Sequence, residues 1–441
     1  MNQEIARWYQ QNEDGVVELS QNIWHHPELA MGEKYACQAV AQWMVQQGFQ
    51  VETFPVKEGL AAPNVVRARW GSGKPVIGII GEYDALADLG QEAVPRPAPI
   101  QGPGHGCGHN LMGAGCGAAA AALKAAMQAE GLPGTVVYLG CPAEETLEGK
   151  GYMDEQGLFD ELDVALAWHP LGGAPMVVEF SFMATNNYTF EFFGKTAQAG
   201  AIPWEGRSAL DAAELMNIGV QYLREHVKDG VRMHYGYLSA PSAANIVPGY
   251  AALNYYVRAH TAKDSLETLE RIKDIAKGAA QMTGTRVEWK KVSSTGESKV
   301  NHTLNRLLYQ AYEQVPAIQY TAQEADFARE LYRQVTGQES QGSGEDLLPT
   351  TLTKPQGQVV PGAGSSDLTY VMHRVPTAWI FGYGQVLGMP GHHWSQTATA
   401  GMGIGQKGAI YAGKILAQCG YNLLKDPDQL QACWAEFRQD L

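Results

Sequence analysis

Apolar residues along this chain follow two rhythms. Ala36, Cys37, Val40 and Met44 recur at helical spacing and predict a helix over 33–47, closed by Gly48 as its C′ residue. Short β-branched and apolar runs at 51–54, 64–70 and 76–80 predict strands, the last a buried one bounded by glycine. A Gly/Ala-rich run at 112–126 predicts a tightly packed helix, and further strands follow at 135–139 and 164–167. Strands alternating with helices in this way predict an α/β sheet.

From residue 184 the rhythm changes. A strand at 188–193 alternates like one half exposed, and 208–226 reads as a long amphipathic helix. A strand at 251–259, a helix at 265–282 capped by Asp264 or Ser265, and a strand at 286–292 complete a β-α-β-α-β unit. Such a unit can bury its own sheet face. It is read as an inserted α+β domain over 184–293, interrupting a discontinuous domain of 1–183 plus 294–441. Helices at 304–314 and 322–336, a strand at 377–381 and a final helix at 408–416 follow. A chain of 441 residues exceeds what one simple core supports, which agrees with two domains.

Composition narrows the partners. A formal charge of −14 argues against nucleic acid, because a polyanion would be repelled. The six cysteines are scattered, unlike a disulfide framework. No basic-then-apolar leader opens the sequence, and no apolar run approaches the roughly 18 residues needed to span a membrane. The expected location is the cytoplasm, with no membrane partner.

The chemistry gathers where predicted strands end. Strand 76–80 leads to Gly81-Glu82-Tyr83-Asp84, strand 135–139 to Cys141-Pro142-Ala143-Glu144-Glu145, and strand 164–167 to Trp168-His169-Pro170. Side chains just past buried strand ends lie where α/β sheets bind ligands. Gly104-His105-Gly106-Cys107-Gly108-His109-Asn110 places a thiol and an imidazole in a loop entering a helix, and Gly391-His392-His393-Trp394 adds histidines near the end. Cys107, His109, His169 and His392 are metal-type ligands. Cys107 with a histidine base is the competing reading, a thiol hydrolase. Adjacent residues leaving a strand point to opposite sides, so of Glu144 and Glu145 one can bind metal while the other faces the open coordination position. Two cations about 3.5–4 Å apart lower the pKa of a shared water toward roughly 7, and a nearby carboxylate passes its proton to the leaving amine. His25-His26 before Pro27 reads as a polar turn more readily than as ligands.

Taken together, His25/His26-Pro27-Glu28-Leu29, Asp84-Ala85-Leu86, Cys107-Gly108-His109, Pro142-Ala143-Glu144-Glu145 and His169 resemble, in order, the motifs of the M20 metallopeptidase family in its amidohydrolase branch, subfamily D. The resemblance covers nearly the whole chain. It implies an aminopeptidase-like di-metal catalytic domain with an inserted lid, or dimerisation, domain. Cys107, His109, Glu145, His169 and His392 would hold two divalent ions, Mn2+ or Zn2+. Asp84 would orient a ligand from behind, and Glu144 would be the general base that activates a metal-bound water. His393 competes with His392 for the last ligand position.

The same resemblance implies a substrate of the N-acyl amino acid class, with an aromatic acyl group, such as aminobenzoyl-glutamate or indoleacetyl-aspartate. Gln198, Asn245 and Arg258 match substrate-contacting positions, Arg258 as a bidentate grip on a carboxylate or, alternatively, as an ordinary strand-end salt bridge. A homodimer through the inserted domain is implied, with a hetero-oligomer as the other possibility. One departure stands out: where the family's lid has Thr-Ala-His-Ala, this chain has Thr196-Ala197-Gln198-Ala199. A neutral amide there replaces a histidine thought to stabilise the oxyanion, which keeps open the reading of a weakly active or non-catalytic subunit.

Overall fold

The computed structural model of the protein describes residues 1–240 and 243–439. The chain divides into two compact units. One comprises Met1–Glu179, Lys299–Val359 and Val371–Leu441, the other Phe180–Ser298 and Val360–Tyr370. The segment 360–370 thus joins the smaller unit, through a short parallel pairing of Val360–Pro361 with Phe180–Ser181, whereas its position in the sequence assigns it to the larger one.

The larger unit is built on a seven-stranded sheet in the order Gln50–Phe54, Val65–Ser72, Gly134–Cys141, Val76–Glu82, Val164–His169, Thr377–Phe381, Met176–Val177. The four strands from Gly134–Cys141 to Thr377–Phe381 run parallel, so their carboxyl ends lie along one edge. Val76–Glu82 and Gly134–Cys141 are buried at every position. That explains their continuous apolar runs, since a strand covered on both faces has no polar side to show.

Helix His109–Glu130 packs on Val76–Glu82 and between helices Gln3–His25 and Gly403–Lys425. Its alanines and glycines allow close approach: a Cβ at Gly115 would stand 2.9 Å from the Ala409 carbonyl oxygen. No helix among the described residues is long and apolar enough to cross a membrane.

The smaller unit has an antiparallel sheet in the order Arg286–Thr295, Ala184–Phe193, Tyr250–Ala259, Arg232–Ser239. Helices Ala209–Leu223 and Ala262–Thr283 cover one face, burying Phe190, Leu253, Tyr255, Met216 and Ile272 with them.

Several expectations need correcting. The smaller sheet has a fourth strand, Arg232–Ser239, which the three-strand reading missed. It is an edge strand exposed along most of its length, so it carries no alternation to find. Thr261, not Asp264 or Ser265, caps helix Ala262–Thr283, its side chain accepting from the Asp264 amide. The final helix is Gly403–Lys425, far longer than 408–416, and Pro427–Gln439 follows it as another helix. A short helix, Trp394–Ala400, begins directly after the two histidines.

Candidate metal centre

The parallel strands deliver their side chains to one edge. Asp84 lies just past Val76–Glu82, and His169 is the last residue of Val164–His169. After Gly134–Cys141 the chain turns sharply through Ala143, at φ 55°, to present Glu144 and Glu145. A non-glycine residue at positive φ is strained and persists only where its surroundings over-determine it. Here the Ala143 amide donates to the Glu33 carboxylate at 2.7 Å, which also accepts from Asn64 Nδ2 at 3.1 Å. His392 is likewise held at φ 52°. Gly108, at φ 78°, caps the helix that His109 begins. A Cβ there would meet Pro170 Cγ at 2.6 Å, so only glycine brings the Cys107 loop this close to the His169 turn.

Donor atoms converge in three overlapping sets, each within 4.8 Å: Cys107, His109 and His169; Cys107, Glu145 and His392; Glu82, His109 and Glu144. The Cys107 sulfur belongs to two of them. Cys107 Sγ lies 3.2 Å from His169 Nε2, and His392 Nε2 3.6 Å from Glu145 Oε2. The imidazoles are oriented from behind. His109 Nδ1 lies 2.8 Å from Asp84 Oδ1, and His169 Nδ1 2.7 Å from the Pro170 carbonyl oxygen. Both partners only accept, so both Nδ1 atoms carry the proton and both Nε2 atoms turn toward the centre. Asp84 also accepts from the Glu145 amide at 2.9 Å and so ties two of the strand ends together.

The centre fits a cation. His109 Nε2, Glu82 Oε2 and Glu145 Oε1 are buried with no hydrogen-bond partner, an arrangement that costs free energy unless something positive lies among them. Burial holds His169 at about 4, hence neutral as a ligand must be. Burial lifts Glu145 to about 7 and, with the Glu145 carboxylate beside it, drives the Cys107 thiol far up. A thiol so disfavoured as a thiolate is a poor free nucleophile. Burial alone would lower His109, but Cys107 and Asp84 outweigh it and hold His109 well above its usual range.

Other singled-out residues lie elsewhere. His25 and His26 are exposed and bond to Gln21 and Asn22 carbonyls one helical turn back. His393 caps Trp394–Ala400 and lies 2.8 Å from Ser395 Oγ. Within the smaller unit, Gln198 and Asn245 occupy adjoining loops, where Gln198 bridges Ile246 and the Ala199 amide donates to the Asn245 carbonyl at 3.0 Å. Both side chains are exposed, and Gln198 Oε1 accepts from the Ala201 amide.

Arg258 lies toward the far end of Tyr250–Ala259, about 25 Å from that loop at about 3.3 Å per residue. Its guanidinium stands 5.0 Å over the Tyr256 ring. One unit therefore does not bring Arg258 together with Gln198 and Asn245. Sequence reasoning placed Glu82 at a strand end without giving it a role, and missed its buried partner Lys150. The available signal was a charge closing an otherwise apolar strand, which burial makes expensive unless it has a task.

An α/β sheet with imidazole, thiol and carboxylate donors clustered near its parallel strand ends, together with an α+β unit, fits a metallo-hydrolase, the class that the family match gives. Residues 78–397 match the Peptidase family M20/M25/M40, and the chain belongs to that family. It is 33% identical over 446 residues to the B-type subunit of the p-aminobenzoyl-glutamate hydrolase of Escherichia coli (strain K12), across 96% of this chain and 92% of that protein. It is also 33% identical over 310 residues to the Xaa-Arg dipeptidase of Homo sapiens, across 67% of this chain and 66% of that one. The crystal structure of the aminobenzoyl-glutamate utilization protein from Klebsiella pneumoniae shares the fold, with a TM-score of 0.67 at 18% identity, covering 95% of this chain and 98% of that one.

Proposed function

We propose that this protein is an amidohydrolase of N-acyl amino acids that works with two divalent cations. Cys107, His109, Glu145, His169 and His392 would hold them, with Asp84 orienting His109. The shared Cys107 sulfur supports a two-ion reading, because one donor serves both of its sets. Thiolate and imidazole favour Zn2+ by softness, and a borderline site of this kind also accommodates Mn2+.

The observation that carries the mechanism is the divergence of the two adjacent carboxylates. Glu145 Oε2 lies 3.6 Å from His392 Nε2 and its Oε1 3.9 Å from His109 Nδ1, while Glu144 Oε2 stands 4.0 Å from the other ring nitrogen of His109, Nε2. Bound cations supply Lewis-acid charge to such a site. Glu144 takes a proton from the attacking water and delivers it to the amine nitrogen as the C–N bond breaks.

The acyl-amino-acid class rests on the likeness to a p-aminobenzoyl-glutamate hydrolase component. We favour an aromatic acyl group on an acidic residue, as in aminobenzoyl-glutamate or indoleacetyl-aspartate, with Gln198 and Asn245 toward the substrate from one chain and Arg258 from the other chain of a dimer. The likeness to an Xaa-Arg dipeptidase favours a second reading, a basic residue in the same place.

Exposed Tyr235, Tyr237 and Leu238 on edge strand Arg232–Ser239, with Ile218 and Tyr222 on helix Ala209–Leu223, support a homodimer through the smaller unit. The related protein's being named as one subunit of a hydrolase supports a hetero-oligomer instead. Cytoplasmic location remains our reading of the composition. The test is a hydrolysis screen over N-acyl-glutamates, N-acyl-aspartates and Xaa-Arg dipeptides with added Mn2+ or Zn2+. Cleavage of none of them, with both ions bound, would leave the helper-subunit reading in its place.

A further inference from the structure

Glu82 has no part in the five-ligand set. Its Oε1 accepts from Lys150 Nζ at 2.6 Å, and the two side chains are 1% and 0% exposed. That bond fixes the carboxylate and aims its other oxygen, Oε2, at His109 Nε2, 3.4 Å away. Neither of these two atoms has a hydrogen-bond partner. His109 Nδ1 is engaged by Asp84 and carries the proton. Nε2 is therefore the ring nitrogen that faces the carboxylate oxygen in a dry site, where the buried negative charge calls for positive charge beside it, a ring proton in the metal-free protein or a cation lying against both atoms.

The spacing matches such an ion. Four-coordinate ligands at about 2.0–2.1 Å from a metal stand about 3.3–3.4 Å apart. The Cys107–His169 pair, at 3.2 Å, falls just below that range and the Glu145–His392 pair, at 3.6 Å, just above it. We propose that Glu82 is a further ligand of the cation held by His109, with Lys150 as the positioning residue that locks the carboxylate and offsets part of its charge. The proposal rests on the two-cation reading of the centre and extends it to two residues outside the five-ligand set.

The experiment titrates the metal-free full-length protein with zinc alone, reading stoichiometry and affinity by calorimetry and elemental analysis, with folding checked by circular dichroism. Glu82→Gln removes a counter-charge from a buried ammonium and can fail to fold. Glu82→Gln/Lys150→Met removes both charges and keeps the test open. The wild-type protein is expected to take up two zinc ions. The double variant should fold, keep one as tightly and bind the other at least tenfold more weakly.

Recovery of both sites in the double variant would make Glu82 only the counter-charge of Lys150 and overturn the proposal. A double variant that cannot fold would make the pair structural and overturn it equally. A wild-type chain that takes up no zinc would sink the metal reading itself, a result distinct from a wild type and a variant that both bind two.

Discussion

The larger unit and the smaller unit carry their candidate functional residues in opposite ways. In the larger, the donors sit at the ends of buried parallel strands and are gripped from behind, His109 by Asp84, the Glu144 turn by Glu33, and Glu82 by Lys150. In the smaller, Gln198 and Asn245 stand exposed on adjoining loops, and Gln198 spends its side-chain oxygen on a neighbouring amide. The difference teaches where precision is stored. A metal centre needs donors fixed to a fraction of an ångström, and rigid strands with buried supports supply that. Residues that would meet a substrate, as proposed for these two, can wait on a loop until it arrives.

The sharpest break in this comparison lies inside the rigid centre. If Glu144 is the base and Glu145 a ligand, the same conservative change at neighbouring positions has different consequences. Glu144→Gln should keep both metals and lose about 10²–10⁴-fold in kcat, the usual worth of a positioned proton acceptor. Glu145→Gln should instead lose metal and regain activity when metal is added in excess. Metal content and kcat measured on the same preparations decide it, and the reversed pattern would show that the two assignments are exchanged.

Cys107 tests whether one donor serves two ions. Cys107→Ser replaces a soft thiolate by a hydroxyl that ionises far less readily. Binding of both ions should weaken by about tenfold or more, the scale of losses in metal affinity when a site is disturbed. Loss of one ion only would mean that the sulfur is not shared. A variant retaining full metal content and full activity would remove Cys107 from the centre.

A smaller effect concerns the support beneath the turn. Burial, reinforced by Asp84, lifts the Glu33 carboxyl from 4.5 to about 7. Below pH 4.5 both folded and unfolded chains hold this proton. Between 4.5 and 7 the unfolded chain releases it while the folded chain does not, so stability falls as pH rises through that window. Above 7 the loss is complete, at roughly 3 kcal/mol for this group. Glu145, also lifted to about 7, adds a slope of the same sign. The quantity that tests Glu33 is therefore the difference between wild type and Glu33→Gln. Urea unfolding of the metal-free protein at pH 5 and pH 8 should show a shallower pH dependence in the variant, and equal slopes would remove Glu33 from the account.

Legibility in the sequence divides along the same line. Continuous apolar runs ending in Glu144-Glu145 and His169 were legible because a doubly buried strand leaves an unmistakable pattern, and the residues just beyond it must face the sheet edge. Glu82 was named just past a strand read as ending at 80 but given no role, because a charge there looks like the end of the strand, whereas it is the strand's last residue. Edge strand Arg232–Ser239 was not legible, since exposure on both faces erases alternation. The pairing of the 198 loop with the 245 loop joins segments far apart in the sequence through a single bridge and a few backbone bonds, for which no periodicity exists. Only a resemblance could nominate those residues, and it could not separate Arg258 from them.

The weakest expected effect sharpens the loop side of the comparison. Gln198 can donate a neutral hydrogen bond, whereas a histidine in its place can donate a charged one, roughly twice as strong. If the position meets the reacting carbonyl, Gln198→His should raise kcat with little change in KM, because the gain appears only as charge develops in the transition state. An oxyanion donor is worth at most about 10²–10³-fold, and Gln198 already supplies part of that, so a rise of up to about tenfold is expected. The side chain must also give up its bond to the Ala201 amide, which an imidazole nitrogen can replace only when it carries no proton. The gain should therefore grow as pH falls through the histidine range near 6.5, where the imidazolium no longer accepts that bond and swings free. Steady-state kinetics of both forms on one N-acyl-glutamate from pH 5.5 to 8.5 provide the check. A variant that is neutral or slower at every pH would confine Gln198 to holding its own loop, and would leave the smaller unit without a residue that answers to the transition state.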